Sequence, residues 1–337
     1  MASDGEGLAA GYDVLLFDLD GTVYHGPEPI PGVADAIRAL RDRGIAVRFV
    51  TNNASRAPEA VAETLRGMAI EADVSEVSTS AQAAAKVLRE RLPGGAQVLV
   101  VGAPALEAEV EAAGLTPVRQ VSEHVAAVVQ GHWTETGWKH LAEAALAIRA
   151  GALWVACNVD ATLPTERGLL PGNGAMVAAL RTATDAEPVV AGKPAAPLFH
   201  TAAQSAGASR PLAVGDRLDT DIAGAITAGV DSLLVLTGVA TPASLLAAVP
   251  EERPTYVAQD LGALDEPADD LAPGPQKGWQ VEVDGETLVA TGKGPGDAYG
   301  LLRALCHEAW QSGVTAVRAG DDLAATALGE LGLTHAP

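Results

Sequence analysis

One local pattern occurs near both ends of the first 264 residues: a short β-branched or leucine-rich run, then an alanine-rich amphipathic segment. It appears early as Val14 to Phe17 followed by Ala34 to Arg43, and as Ile45 to Val50 followed by Pro58 to Arg66. It returns late as Leu212 to Val214, Asp221 to Ala228, and Ser232 to Leu236. Parallel strands cannot be joined by a tight hairpin and need a crossover, usually a helix, so this alternation is the mark of βαβ units. Pro31 stands where it can open the first helix and Gly44 where it can close it. The chain is therefore expected to be α/β, with a Rossmann-like, doubly wound parallel sheet as its core.

Between the two halves of that pattern lies an apolar series of its own: Gln97 to Val101, Pro104 to Ala113, Val125 to Gln130, Trp138 to Arg149 and Leu153 to Cys157. These runs suffice for a separate small α/β domain, which places an insertion at residues 94–177 and the core at 1–93 plus 178–264. Residues 265–277 are dense in Pro, Asp and Gly without periodicity and read as a linker. Residues 278–337 hold a strand pattern (Trp279 to Val283), a helical one (Asp297 to Gln311) and another strand (Thr315 to Arg318), a small third α/β module. A length of 337 residues accommodates two or three such units.

The formal charge of −21 argues against a nucleic-acid partner, because phosphate backbones are bound through basic surface. An anionic substrate then needs locally concentrated positive charge. The opening Met1-Ala2-Ser3-Asp4-Gly5-Glu6 lacks the basic start of a signal peptide, and the apolar stretch Leu141 to Cys157 is broken by Glu143 and Arg149, so no membrane span is expected. Cys157 and Cys306 give neither a disulfide framework nor a metal-ligand spacing, which fits a reducing cytoplasm. A homo-oligomer is compatible with the sequence, which leaves the oligomeric state open.

The strongest chemical signal is Phe17-Asp18-Leu19-Asp20-Gly21-Thr22-Val23, directly after an apolar strand. In an open parallel sheet ligands bind beyond the carboxyl ends of strands, so both carboxylates arrive where a site should be. If the strand continues between them, side-chain alternation points Asp18 and Asp20 the same way. Two carboxylates so spaced can divide phosphoryl transfer, one as nucleophile, the other protonating the leaving oxygen and later activating water. Three further features follow predicted strands. Thr51-Asn52-Asn53 offers a hydroxyl and amides for a phosphate oxygen, Lys193 a compact cation, and Asp216, in Gly215-Asp216-Arg217-Leu218-Asp219-Thr220-Asp221, a metal ligand. Each alone has an ordinary structural reading: a turn after a strand, a helix N-cap, a surface turn, a capped acidic helix start.

Taken in order, Asp18-Leu19-Asp20-Gly21-Thr22, Thr51, Lys193 and Gly215-Asp216 through Asp221 resemble the four motifs of the haloacid dehalogenase superfamily of phosphatases. The insertion lies between the Thr51 and Lys193 motifs, as in the C2-capped branch. Thr51 to Arg56, Asn158-Val159-Asp160 and Pro171-Gly172-Asn173-Gly174 look like the branch of phosphoglycolate, glycerol-3-phosphate, nucleotide and nitrophenyl phosphatases. The resemblance covers about Tyr12 to Leu264; the C-terminal module resembles part of an acetyltransferase fold. Gly292-Lys293-Gly294-Pro295-Gly296 does not match the pyrophosphate loop of such a fold, so a structural or oligomerisation role is expected there.

The resemblance implies a magnesium ion held by the Asp18 carboxylate, the Asp20 main-chain carbonyl and Asp216, with Asp221 behind them orienting water or Lys193. It implies an aspartyl-phosphate on Asp18, and a phosphate bound by Thr51, Asn52, Asn53 and Lys193. The inserted domain becomes a cap, with Asn158, Asp160 and Arg167 as candidates to touch substrate or brace the closed cap. The implied substrate is a small phosphate ester, glycerol 3-phosphate first. Phosphoglycolate, nucleoside monophosphates or aryl phosphates stand as the alternative, and behind them a phosphotransferase or mutase, or a silent binding protein. His132 and Trp133 invite a binding role but fit packing better, and Arg56 can pair along its own helix as readily as guide an anion.

Overall fold

The computed structural model describes residues 7–165 and 167–333. Met1 to Glu6, on which the signal-peptide reading rests, and residues 334–337 of the expected C-terminal module lie outside them. The chain divides into two compact units, one formed by the residues up to 48, 68–71 and 206 onward, the other by 49–67 and 72–205. Unlike the boundaries drawn from sequence, this division groups the C-terminal residues with the first unit, and 49–67, 72–93 and 178–205 with the insertion.

The first unit is built on parallel strands in the spatial order Tyr256–Ala258, Asp231–Val235, Pro211–Gly215 and Val14–Phe17. Phe17 pairs with Val214 and Gly215 with Leu234. All four residues of Val14–Phe17 are buried, as a strand covered on both faces demands. The Ala46 N–H donates to Asp13 O at 3.0 Å, so the strand Ala46–Thr51 starts in this unit before running into the second. The helix after the first strand runs Val33–Asp42 and buries Val33, Ile37 and Leu40 on one stripe. Gly32 precedes it in the left-handed region at φ 82°.

The C-terminal strands form an antiparallel pair, Trp279–Asp284 with Thr287–Gly292, and Ala316–Ala319 joins the second of these in parallel. The strand Thr287–Gly292 carries no strong sequence signal beyond its alternation. The helices Ala298–Ser312 and Asp322–Glu330 complete this part. The stretch expected as a linker contains a short helix, Ala268–Leu271, because Leu271 is fully buried and anchors it.

In the second unit, the end of the Ala46–Thr51 strand pairs in parallel with Val77–Thr79. A five-stranded sheet lies in the order Val189–Val190, Leu153–Ala156, Val125–Gln130, Gln97–Val101 and Thr116–Val118. The helices Trp138–Arg149 and Asn173–Thr184 share one core with it, built from Leu99, Val101, Val128, Ala144, Ala147, Trp154, Val177 and Leu180. A hairpin, Thr162–Thr165 with Gly168–Pro171, projects from this unit. Among the described residues no helix is long and apolar enough to cross a membrane.

Candidate active site

In the first unit the strand Val14–Phe17 stops one residue before the first aspartate, although the Asp18 N–H still donates to Val214 O at 2.8 Å. The chain then turns around buried Leu19, whose carbonyl accepts from Val23 N at 2.8 Å and Tyr24 N at 3.1 Å. Strand alternation therefore does not set the directions of Asp18 and Asp20; a tight turn does. Gly21 makes the turn possible at φ 89°, and a Cβ there would overlap the Asp216 carboxylate. Asp20 is exposed while Asp18 is half-buried.

Asp216 follows the strand Pro211–Gly215 and is fully buried. Its Oδ2 accepts from Val239 N at 2.6 Å, its main-chain carbonyl accepts from Ala240 N at 2.9 Å, and the Thr22 hydroxyl lies 3.5 Å from Oδ1. After Asp216 the chain makes one π-turn, Leu218–Ile222, before continuing as the helix Ala223–Ala228. That wide turn, where a regular helix was expected from Asp221, brings Asp221 back so that its Oδ2 accepts Arg217 N at 3.1 Å. Carboxylate oxygens of Asp18, Asp216 and Asp221 all lie within 4.8 Å of one another. Three carboxylates this close, two of them almost wholly buried, repel one another and are costly to desolvate. A hard divalent cation with oxygen ligands offsets both terms, so the donor set fits magnesium.

The second unit holds the predicted phosphate-binding residues. Thr51 ends its strand with its Oγ1 accepting from Asn53 N at 3.1 Å, and Asn53 Oδ1 accepts from both Ser55 N and Ser55 Oγ at 2.8 Å. Asn52 is the hub. Its Oδ1 accepts from Lys193 N at 2.8 Å, and its Nδ2 donates to Lys193 O at 3.0 Å and to Asp160 Oδ2 at 3.1 Å. Its main-chain carbonyl accepts from Ser80 Oγ at 2.6 Å and Asn158 Nδ2 at 2.7 Å. Lys193 is 2% exposed and its Nζ lies 3.4 Å from Val50 O. Gly192 is required by crowding, since a Cβ there would meet Asn52 Oδ1 at 2.5 Å. Asn158 is itself held through Asn173, which donates from Nδ2 to Asn158 O at 2.7 Å.

The structure thus gathers Asp18, Asp216 and Asp221 in the first unit, and Thr51, Asn52, Asn53, Asn158, Asp160 and Lys193 in the second. Arg167 is exposed in the turn of the Thr162–Pro171 hairpin. Sequence reasoning missed Ser80, Gly192 as a packing requirement, and Thr237 to Ala240. The last was findable: Gly238 lies just beyond the strand Asp231–Val235, at the end where open sheets place their sites. Arg56 is spent locally, donating to Ala60 O at 3.0 Å and Thr64 Oγ1 at 2.5 Å. Trp133 packs against His140 and beneath Arg119, which makes it a packing residue.

Comparison with known proteins agrees with these motifs. Residues 15–116 match the family profile described as haloacid dehalogenase-like hydrolase, and residues 190–264 a second profile for hydrolases of the same kind. Residues 276–333 match a GCN5-related N-acetyltransferase like domain. The D-glycerol 3-phosphate phosphatase of Mycobacterium tuberculosis is 48% identical over 335 residues, 95% of this chain and 94% of that one. The acid sugar phosphatase of Staphylococcus aureus is 40% identical over 254 residues, 74% of this chain and 95% of that one. Among solved structures, the glycerol phosphate phosphatase of M. tuberculosis in complex with magnesium superposes with a TM-score of 0.93 at 49% identity, covering 98% of this chain and 99% of that one. The 4-nitrophenylphosphatase of Thermotoga maritima gives 0.71 at 29% identity, covering 77% and 99%. With its motifs matched in order and its relatives sharing nearly their whole length, this chain belongs to the haloacid dehalogenase-like hydrolases.

Proposed function

We propose that this chain is a magnesium-dependent phosphomonoester hydrolase that works through an aspartyl-phosphate and takes glycerol 3-phosphate as its substrate, yielding glycerol and phosphate. The observation that carries the reaction class is the Asp18, Asp216 and Asp221 cluster in a chain whose buried Lys193 and Thr51-Asn52-Asn53 loop supply what an anionic group needs. The substrate rests on the M. tuberculosis relative, named for that ester, which is similar over 94% of its length, C-terminal part included. A second reading, wider specificity, is favoured by the acid sugar phosphatase and 4-nitrophenylphosphatase relatives, which are similar to this chain over nearly their whole lengths.

Magnesium would be held by Asp18, the Asp20 carbonyl and Asp216, with Asp221 close by, and would neutralise charge between carboxylate and phosphate. Asp18 attacks phosphorus, forming a carboxyl–phosphate bond as the ester oxygen leaves with a proton from Asp20. Asp20 then removes a proton from the water that attacks the same phosphorus, releasing phosphate and restoring Asp18. Thr51, the amides of Asn52 and Asn53, and Lys193 stabilise the equatorial oxygens, so much of the rate comes from positioning and electrostatics. Asn158 and Asp160 act by holding Asn52, while Arg167 is the candidate to meet the leaving group. The two cysteines, both buried and free, accord with a reducing cytoplasmic setting.

The test is phosphate release from a panel of glycerol 3-phosphate, phosphoglycolate, nucleoside monophosphates, sugar phosphates and nitrophenyl phosphate, with magnesium present. The highest kcat/KM is expected for glycerol 3-phosphate. A clearly higher value for another ester overturns the substrate, and no hydrolysis of any ester overturns the enzyme.

A further inference from the structure

The C-terminal residues share a core with the loop that carries Asp216. Leu218 and Ile222, from the π-turn that bears Asp221, belong to one buried apolar cluster with Leu245, Leu246 and Val257 and with Leu301, Leu302 and Leu305 of the helix Ala298–Ser312. Polar ties run the same way. The Trp310 Nε1–H donates to Leu245 O at 3.1 Å, and Arg253 lies over the Trp310 ring at 5.3 Å. Arg303, 5% exposed, donates to Val257 O at 3.0 Å.

From Leu245 the connection to the acidic cluster is short. Leu245 sits in the helix Pro242–Leu246, whose N-cap Thr241 accepts from Ser244 N at 3.1 Å and donates its N–H to Ser244 Oγ at 2.9 Å. The two residues before Thr241 are the ones that bind Asp216: Ala240 N to its carbonyl at 2.9 Å and Val239 N to its Oδ2 at 2.6 Å. Gly238 is packed so closely that a Cβ would overlap the Asp216 carboxylate. A charged carboxylate held by a backbone N–H has its orientation fixed by that backbone. The backbone in turn is fixed by a helix against which Trp310 packs.

The helix Ala298–Ser312 is suited to this role and poorly suited to binding a pyrophosphate. Its own Asp297 caps it, Oδ1 accepting from Gly300 N at 2.5 Å, so a carboxylate already occupies its positive end. The preceding loop is packed onto Trp279, which donates from Nε1 to Asp297 O at 2.9 Å.

We propose that the helix Ala298–Ser312 supports the metal site, and that Trp310 is a positioning residue which, through Leu245 and the Val239–Thr241 turn, holds Asp216 in the direction that binds magnesium. This rests on the magnesium reading given above. The experiment is calorimetric titration of magnesium into the full-length chain without substrate, with steady-state kinetics alongside. Trp310→Ala is expected to weaken magnesium binding by about threefold to tenfold. Trp310→Phe, which keeps an aromatic ring but loses the indole N–H and part of the ring's bulk, should weaken it by less, roughly twofold to threefold. At saturating magnesium, kcat and KM should stay close to those of the unaltered chain. Arg318→Ala, which removes only an exposed ion pair with Asp284, should bind magnesium like the unaltered chain. If Trp310→Ala does not fold, Trp310→Phe decides the matter. Magnesium affinity equal to that of the unaltered chain in the folded Trp310 variants would overturn the inference. Equal affinity in Asp216→Asn would overturn the metal reading itself.

Discussion

Asn52 and Lys193, 141 residues apart, are joined by a two-way amide bridge: Asn52 Oδ1 accepts the Lys193 N–H at 2.8 Å while Asn52 Nδ2 donates to the Lys193 carbonyl at 3.0 Å. The side chain of one residue thereby serves the backbone of the other as a neighbouring strand would. The Asn52 side chain fixes the residue that carries the cation, and the phosphate contact proposed for Asn52 falls to its main-chain amide. Asn52→Ala leaves a buried backbone N–H and C=O at Lys193 to find new partners, at a cost of about 1–3 kcal/mol. Its kcat/KM is expected to fall on the order of 10- to 100-fold, with a smaller fall for Ser80→Ala, which removes only one of two donors to Asn52 O. Steady-state kinetics on both variants check the ranking.

Gly238→Ala should be as damaging as a change to the acidic cluster itself. The added methyl has nowhere to go except into the Asp216 carboxylate, and Asp216 is fully buried with little room to yield. Overpacking of this kind costs about 1–3 kcal/mol, and here it displaces a proposed metal ligand. Magnesium should raise the melting temperature of the unaltered chain and leave that of Gly238→Ala nearly unchanged, which a thermal melt with and without the ion will show.

His132 should make the protein less stable in mild acid. Burial lowers its pKa from the usual 6.5, and its Nδ1 is buried without a hydrogen-bond partner among the described residues. The unfolded chain takes up a proton there as pH falls below about 6.5, while the folded chain resists until its lower pKa is reached. Stability from this residue is therefore fully present above that window and declines through it. In His132→Asn the fall of denaturation midpoint between about pH 6.5 and pH 5 should be shallower than in the unaltered chain.

Acetyl-CoA should not bind the C-terminal region, despite its similarity to the N-acetyltransferase like domain. The Asp297 carboxylate at the start of the Ala298–Ser312 helix repels a pyrophosphate at the one place in the helix where its backbone would attract it. Titration with acetyl-CoA should give no heat above dilution, and a saturable isotherm would contradict this.

The parallel strands were legible because burial on both faces leaves continuous apolar runs such as Val14 to Phe17, and Leu212 to Val214. The aspartates proposed as catalytic were legible for a related reason: they stand where those runs stop. What sequence did not reveal depends on long-range crowding. Gly192 and Gly238 look like ordinary turn glycines until the partner that excludes a side chain is known. Asn52 reads equally well as a phosphate ligand or a brace, because only its contacts with Lys193 and Asp160 distinguish the two. The stretch 265–277 looked unstructured since one buried leucine, Leu271, is too small a signal to reveal a single helical turn. The π-turn at Leu218–Ile222 is likewise invisible to periodicity, yet it decides where Asp221 points.

The most direct test of the nucleophile is phosphate release from glycerol 3-phosphate by Asp18→Asn. The substitution keeps size and shape while removing the attacking charge, so the folded content and melting profile should match the unaltered chain. Turnover should drop by about a thousandfold or more. A folded Asp18→Asn protein that still hydrolyses the ester at nearly the original rate would contradict catalysis through Asp18.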